Sequence, residues 1–118
     1  MSMMELTMSN FEATVACEGI VLVDFWAAWC GPCRSFAPVF DGAAESHPDI
    51  VFGKVDTDAE QALAGSAGIA SIPTLMAFRD GYLVYRQSGA LPAKSLEKLI
   101  EQVQALDMDE IKAQFAAQ

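Results

Sequence analysis

Basic residues are scarce: seven Lys and Arg stand against sixteen Asp and Glu, a formal net charge of −9 over 118 residues. Binding to a phosphate backbone depends on clustered cations, so a general nucleic-acid binder is excluded. Long apolar runs are lacking too. Ile20 to Val23 and Phe25 to Trp29 fall far short of the ~20 residues of a membrane helix, and no membrane association is expected. Three cysteines cannot form the fully paired disulfide framework that staples small secreted domains. The single histidine and one cysteine outside the close pair leave a structural zinc site short of its four ligands. No Gly-x-Gly-x-x-Gly nucleotide fingerprint occurs, so no bound cofactor is expected. Met1 to Phe11 hold no Lys or Arg and no sustained apolar core. That is unlike a secretory signal, and the expected compartment is the cytoplasm.

What the chain does have is apolar material, 53% of residues against 19% charged, enough for one compact domain. Ser9 with Glu12 reads as a capping box, predicting a short helix from about Asn10 to Glu18 that Gly19 stops. Ile20 to Ala27 is a β-rich run, apolar at both parities, so both its faces are covered, as at the centre of an α/β sheet. A helix is predicted from about Cys33 to Ser46, with Pro38 inside it as a kink. Val51 to Asp56 reads as a strand, and Thr57 with Glu60 as the cap of a helix ending near Gly65 or Gly68. Thr74 to Arg79 and Tyr82 to Gln87 read as strands joined at Asp80-Gly81, a tight-hairpin signal. From Pro92 a helix carries Leu96, Leu99, Ile100, Val103 and Leu106 on one stripe. With a short leading strand at Met4 to Thr7, the order predicts one central sheet covered by helices.

The chemistry gathers at the end of the central strand, where Trp29-Cys30-Gly31-Pro32-Cys33 opens a helix. Cysteines three apart on a helical turn have Cβ atoms about 5–6 Å apart, and a modest adjustment brings them into disulfide range. Unpaired N–H groups and the helix dipole stabilise negative charge at such an end. Cys30 is therefore expected to be the nucleophilic thiolate, and Cys33, one turn in and more buried, the resolving thiol. Asp24 is the second anomaly, a lone carboxylate in a doubly covered strand. Burial raises such a pKa unless a partner compensates, and Lys54 in the adjoining strand is the expected partner. Asp24 tuned towards neutrality could accept a proton from Cys33; the alternative is a tolerated Asp24–Lys54 ion pair. Cys17 is expected to be a small buried hydrophobe, His47 a surface or C-capping residue, Trp26 a packing residue, and Trp29 the one that touches substrate.

Val23-Asp-Phe-Trp-Ala-Ala-Trp-Cys-Gly-Pro-Cys33, Pro38, Lys54-Val-Asp56, Ile72-Pro-Thr74 and Gly89-Ala90 together resemble the thioredoxin family over roughly Met4 to Leu106. The resemblance implies an α/β, thioredoxin-like fold, a central mixed sheet of four to five strands flanked by helices. It implies a general protein-disulfide reductase. Cys30 attacks, Cys33 resolves, Asp24 assists Cys33 beside Lys54, and a cis Pro73 faces the disulfide. Trp29, Gly31, Pro32, Ile72, Thr74, Gly89 and Ala90 are implied to line an apolar groove in which Ile72 pairs with an extended substrate. The redox group is then the Cys30–Cys33 disulfide itself, re-reduced with NADPH electrons through a thioredoxin reductase, and the partners are disulfide-containing proteins. A monomer is expected. Ala28, Arg34 and Ala70-Ser71 depart from the best-known bacterial pattern and bear on partner preference.

Two other functions fit the same groove: a redox-independent scaffold or chaperone subunit, and a specialised disulfide oxidase or isomerase. Asp107 with Glu110 resembles a further helix start, with Met108, Ile111 and Phe115 on a short apolar stripe. The chain is therefore divided into a domain at 1–106 and a short helical extension at 107–118, either folded back or docking a partner.

Overall fold

A computed structural model describes residues 3–117, so the outermost residues of the two expected segments lie outside it. The elements run β1 (Met3–Glu5), α1 (Phe11–Val15), β2 (Ile20–Trp26), α2 (Gly31–Ser46), β3 (Val51–Asp56), α3 (Gln61–Ser66), β4 (Thr74–Arg79), β5 (Tyr82–Ser88), α4 (Ala93–Gln104) and α5 (Met108–Ala116). The strands form one mixed sheet in the order β1-β3-β2-β4-β5. The pairs β1–β3 and β2–β3 are parallel, and β2–β4 and β4–β5 antiparallel. The strand that is apolar at both parities, β2, takes the central position with Val21 to Phe25 all buried.

Each parity of β2 feeds a separate core. Leu22 packs with Phe36 and Phe40 of α2 and Leu96 and Ile100 of α4. Val21, Val23 and Phe25 pack on the opposite face with Val15 of α1 and Leu63 of α3. Residues two apart on a strand share a face, so Asp24 lies on the Leu22 side, under α2 and α4. The face near the edge at β1 is tight: a Cβ on Gly53 would overlap the side chain of Leu6.

The hairpin turns on Asp80 and Gly81, both with positive φ (54° and 88°), the conformation that a two-residue loop between twisted strands requires. One residue past its start the ladder slips. Phe78 pairs with Leu83, but Ala77 pairs with Tyr85, leaving Val84 as a β-bulge. Downstream of it, side chains on β5 occupy the face opposite to the one unbroken pairing would give them.

Three expectations fail locally. Neither predicted capping box forms. The Ser9 hydroxyl lies 2.9 Å from that of Thr7, and Asn10 turns back, accepting from the Thr7 amide and donating to the Glu5 carbonyl. Helix α1 is thus only five residues long, ending at Val15. Thr57 donates its hydroxyl to the Trp26 carbonyl at 3.0 Å, and α3 starts at Gln61 instead. Cys17 is exposed, not buried: α1 has already ended, and its Sγ donates outside the core to the Ala13 carbonyl at 3.4 Å. His47 caps the end of α2, its Nε2 lying 2.8 Å from Glu97 of α4.

Candidate active site

Strand β2 delivers the chain through Ala27 and Trp29 to the first turn of α2. Cys30 is the N-cap, with extended φ and ψ (−89°, 115°), and Pro32 stands within the first turn, where its missing N–H costs no hydrogen bond. The Cys30 Sγ accepts the Cys33 amide N–H at 3.2 Å. Cys30 and Cys33 form a disulfide with Cα atoms 5.2 Å apart. The expected contrast in burial is absent, for the two are 4% and 3% exposed. What separates them is access: Cys30 borders a surface groove of about 450 Å³, and Cys33 does not.

Trp29, Gly31 and Pro32 form one wall of that groove and Ile69 to Ile72 the other. The Ile72–Pro73 bond is cis, and the Ile72 carbonyl oxygen lies 3.7 Å from the Cys30 sulfur. The Ile72 amide has no hydrogen-bond partner among the described residues. Thr74 is buried beneath this wall, where its hydroxyl donates to the Ser71 carbonyl at 2.6 Å and meets Ser88 at 3.1 Å. Its place is under the groove rather than on its surface. Gly89 and Ala90 are exposed beyond the groove's walls. Gly89, with φ 104°, donates its N–H to the Pro73 carbonyl at 2.8 Å.

Two contacts that sequence patterns do not reveal shape the site. Trp29 is 67% exposed, an unusual position for an indole, yet its Nε1–H donates to the Asp58 carboxylate at 3.0 Å. Arg34 donates to the Ala28 carbonyl at 2.9 Å. Two of the departing positions, Ala28 and Arg34, are thus joined across the loop before the cysteines, through the backbone of the first and the side chain of the second. Asp58 lies 29 residues from Trp29 in sequence, so no local signal marks the pair.

On the face of β2 that α2 covers, Asp24 is fully buried, and neither carboxylate oxygen has a hydrogen-bond partner. Its pKa is pushed up to about 7, chiefly by burial; the charge of Lys54 lowers it and that of Asp41 raises it. Lys54 pairs in register with Asp24 across the β2–β3 ladder. Its ammonium lies 5.4 Å from the centroid of the Trp26 ring and makes no contact ion pair with the carboxylate. Lys54 therefore acts on Asp24 through space, and the tolerated-ion-pair alternative lacks its ion pair. Among the described residues no cluster of three or more His, Cys, Asp or Glu could hold a metal ion.

A thioredoxin family model matches residues 2–102. A protein described as putative thioredoxin 2 of Streptomyces coelicolor is 53% identical over 117 residues, 99% of this chain and 87% of that one. The thioredoxin of Bacillus subtilis is 40% identical over 101 residues, 85% of this chain and 96% of that one. Among solved structures, the Malassezia sympodialis thioredoxin superposes with a TM-score of 0.77 at 31% identity, covering 86% of this chain and 93% of that one.

Proposed function

The chain belongs to the thioredoxin family and is a dithiol–disulfide oxidoreductase, a protein-disulfide reductase whose redox group is its own Cys30–Cys33 pair; from that premise we propose how its residues divide the work. Cys30 is the attacking thiolate. The observation that carries this is its seat as N-cap at the groove, with the Cys33 amide aimed at its sulfur. That N–H and the helix end stabilise the thiolate of the reduced protein. Cys30 attacks a substrate disulfide and a mixed disulfide forms, releasing one substrate thiolate. Cys33 then attacks the Cys30 sulfur, and the second substrate sulfur leaves with the electron pair. Asp24, poised near neutrality on the face covered by α2, takes the Cys33 proton in that second step.

Substrate lies along Ile69 to Ile72 as an added strand. The unpaired Ile72 amide and its carbonyl, close to the cysteine, support this reading. Trp29, Gly31 and Pro32 supply the facing apolar wall, the cis Pro73 shapes the turn, and Gly89 and Thr74 hold that turn from behind. The partners are disulfide-bearing proteins and a thioredoxin reductase that returns electrons from NADPH. Such a supply places the protein in the reducing cytoplasm, where it acts as a monomer. Residues 1–106 form the catalytic domain and 107–118 an extension; the family match ending at residue 102 supports the division.

Trapping tests the assignment. Cys33→Ser is expected to accumulate mixed disulfides with substrate proteins in a cell extract, and Cys30→Ser almost none, read by mass spectrometry. Equal trapping by both variants would overturn the roles. The Cys30→Ser, Cys33→Ser double variant is expected to lose all function; a retained partner function would favour the scaffold reading.

A further inference from the structure

The groove wall from Ile69 to Ile72 belongs to no helix or strand and hangs from the end of α3. That end closes in a Schellman arrangement. Gly68, with φ 68°, donates to the Gly65 carbonyl at 3.0 Å, and Ile69 donates to the Ala64 carbonyl at 3.0 Å. The next carbonyls, of Ala67 and Gly68, are taken by Arg86 of β5. Its Nη1 donates to Ala67 at 2.7 Å and its Nη2 to Gly68 at 2.6 Å. Two N–H groups of one planar fork on successive carbonyls fix both distance and orientation, and a cation is favoured at a helix C-terminus.

Arg86 reaches these carbonyls because of the bulge at Val84. Across the ladder it pairs with Met76, which belongs to the core under α1 and α3. Had the Leu83–Phe78 pairing continued unbroken, Arg86 would stand opposite Leu75, on the face covered by α2 and α4. The extra residue turns the guanidinium to the side where the groove wall begins.

We propose that Arg86 is a positioning residue for substrate binding, clamping the wall 69–72 to the edge strand so that the Ile72 backbone is held beside Cys30. The inference rests on the reading of this groove as the substrate site. A wall held in place before binding avoids the ordering cost that a mobile one adds to every association. The sulfur chemistry at Cys30 is untouched. Loss of the clamp therefore falls on KM.

The test uses the full chain with dithiothreitol as electron donor. Arg86→Ala is expected to raise KM for insulin about fivefold while kcat stays within about twofold. The same variant, pre-reduced and freed of dithiothreitol, is expected to react at an unchanged rate with a small aromatic disulfide, dithiobisnitrobenzoate, which does not span the groove. Arg86→Lys keeps the charge but replaces the fork with a point donor, and its KM is expected to fall between the two. An unchanged KM for insulin in Arg86→Ala overturns the proposal, as does an equal loss towards insulin and the small disulfide. Ile72→Ala serves as the groove control. If it raises KM while Arg86→Ala does not, the clamp alone is wrong; if neither does, the groove reading falls with it.

Discussion

Asp24 has no hydrogen-bond partner in the core, and burial, the dominant cause, moves its pKa from an ordinary 3.8 to about 7. A carboxyl raised on folding binds more protons folded than unfolded between those values. Stability therefore falls as pH rises from about 4 to about 7, and the full cost stands above that. The shift corresponds to about 4 kcal/mol as an upper bound. Asp24→Asn cannot ionise, so its urea-unfolding stability is expected to gain on the parent protein by up to that amount between pH 4 and pH 8. Parallel curves for the two proteins would mean the carboxyl is not perturbed. The same variant is expected to reduce insulin more slowly near neutral pH; an unchanged rate from pH 6 to pH 8 would leave Asp24 without a part in proton transfer. The exposed thiol of Cys17 bears on the trapping experiment. A free surface cysteine exchanges with disulfides on its own account, so trapping through Cys30 is cleanest in a Cys17→Ser background.

At the scale of elements, α5 offers a direct check on capping. The Asp107 carboxylate accepts the Glu110 amide at 3.2 Å, and the Ile111 amide donates to the Asp107 carbonyl at 3.1 Å. Asp107→Ala removes a cap worth about 1 kcal/mol, so amide exchange at Ile111 is expected to quicken about fivefold. Unchanged exchange would mean that tertiary packing alone holds the helix. This cap was legible in the sequence because nothing else claims the Asp107 side chain. The boxes read at Ser9–Glu12 and Thr57–Glu60 had the same local form. There the hydroxyls are drawn to Thr7 and to the Trp26 carbonyl, which a window of four residues does not contain. Strands β2 to β5 and the stripe of α4 followed from hydrophobic period, since burial on two faces or one leaves a direct trace. The cysteine pair was legible because its chemistry is local. Asp58 on Trp29, and Arg86 on Ala67 and Gly68, were not, since each joins segments far apart in the chain.

For the molecule as a whole, the last helix closes the end of the structure opposite in sequence to β1. Phe115 meets Tyr82 at the start of β5 edge-on, with ring centroids 5.0 Å apart, and Met108 is buried. Arg79 donates to the carbonyls of Val103, Gln104 and Leu106, holding the chain where α4 gives way to α5. Deleting 107–118 is expected to lower stability to urea by about 2 kcal/mol while insulin reduction persists. A midpoint that does not move would mean that α5 contributes nothing to the fold, and lost activity would mean that the extension belongs to the catalytic domain. None of the residues lining the groove carries a share of the −9 net charge, though the Asp58 carboxylate meets its wall at Trp29. Two arginines, Arg34 and Arg86, instead brace its two walls through backbone carbonyls.

The bulge at Val84 has a consequence for comparing this protein with its relatives. It acts as a frame shift in the sheet's in-and-out alternation, so residues 82–83 and 85–88 read the sheet in opposite phase. A relative without the extra residue presents its counterpart of Arg86 to the other side, and an alignment that ignores the bulge matches side chains that never share surroundings. Groove loops are therefore not interchangeable by themselves. Exchanging 67–72 with a relative that lacks the bulge calls for exchanging the hairpin as well, because the clamp spans two separate stretches of chain.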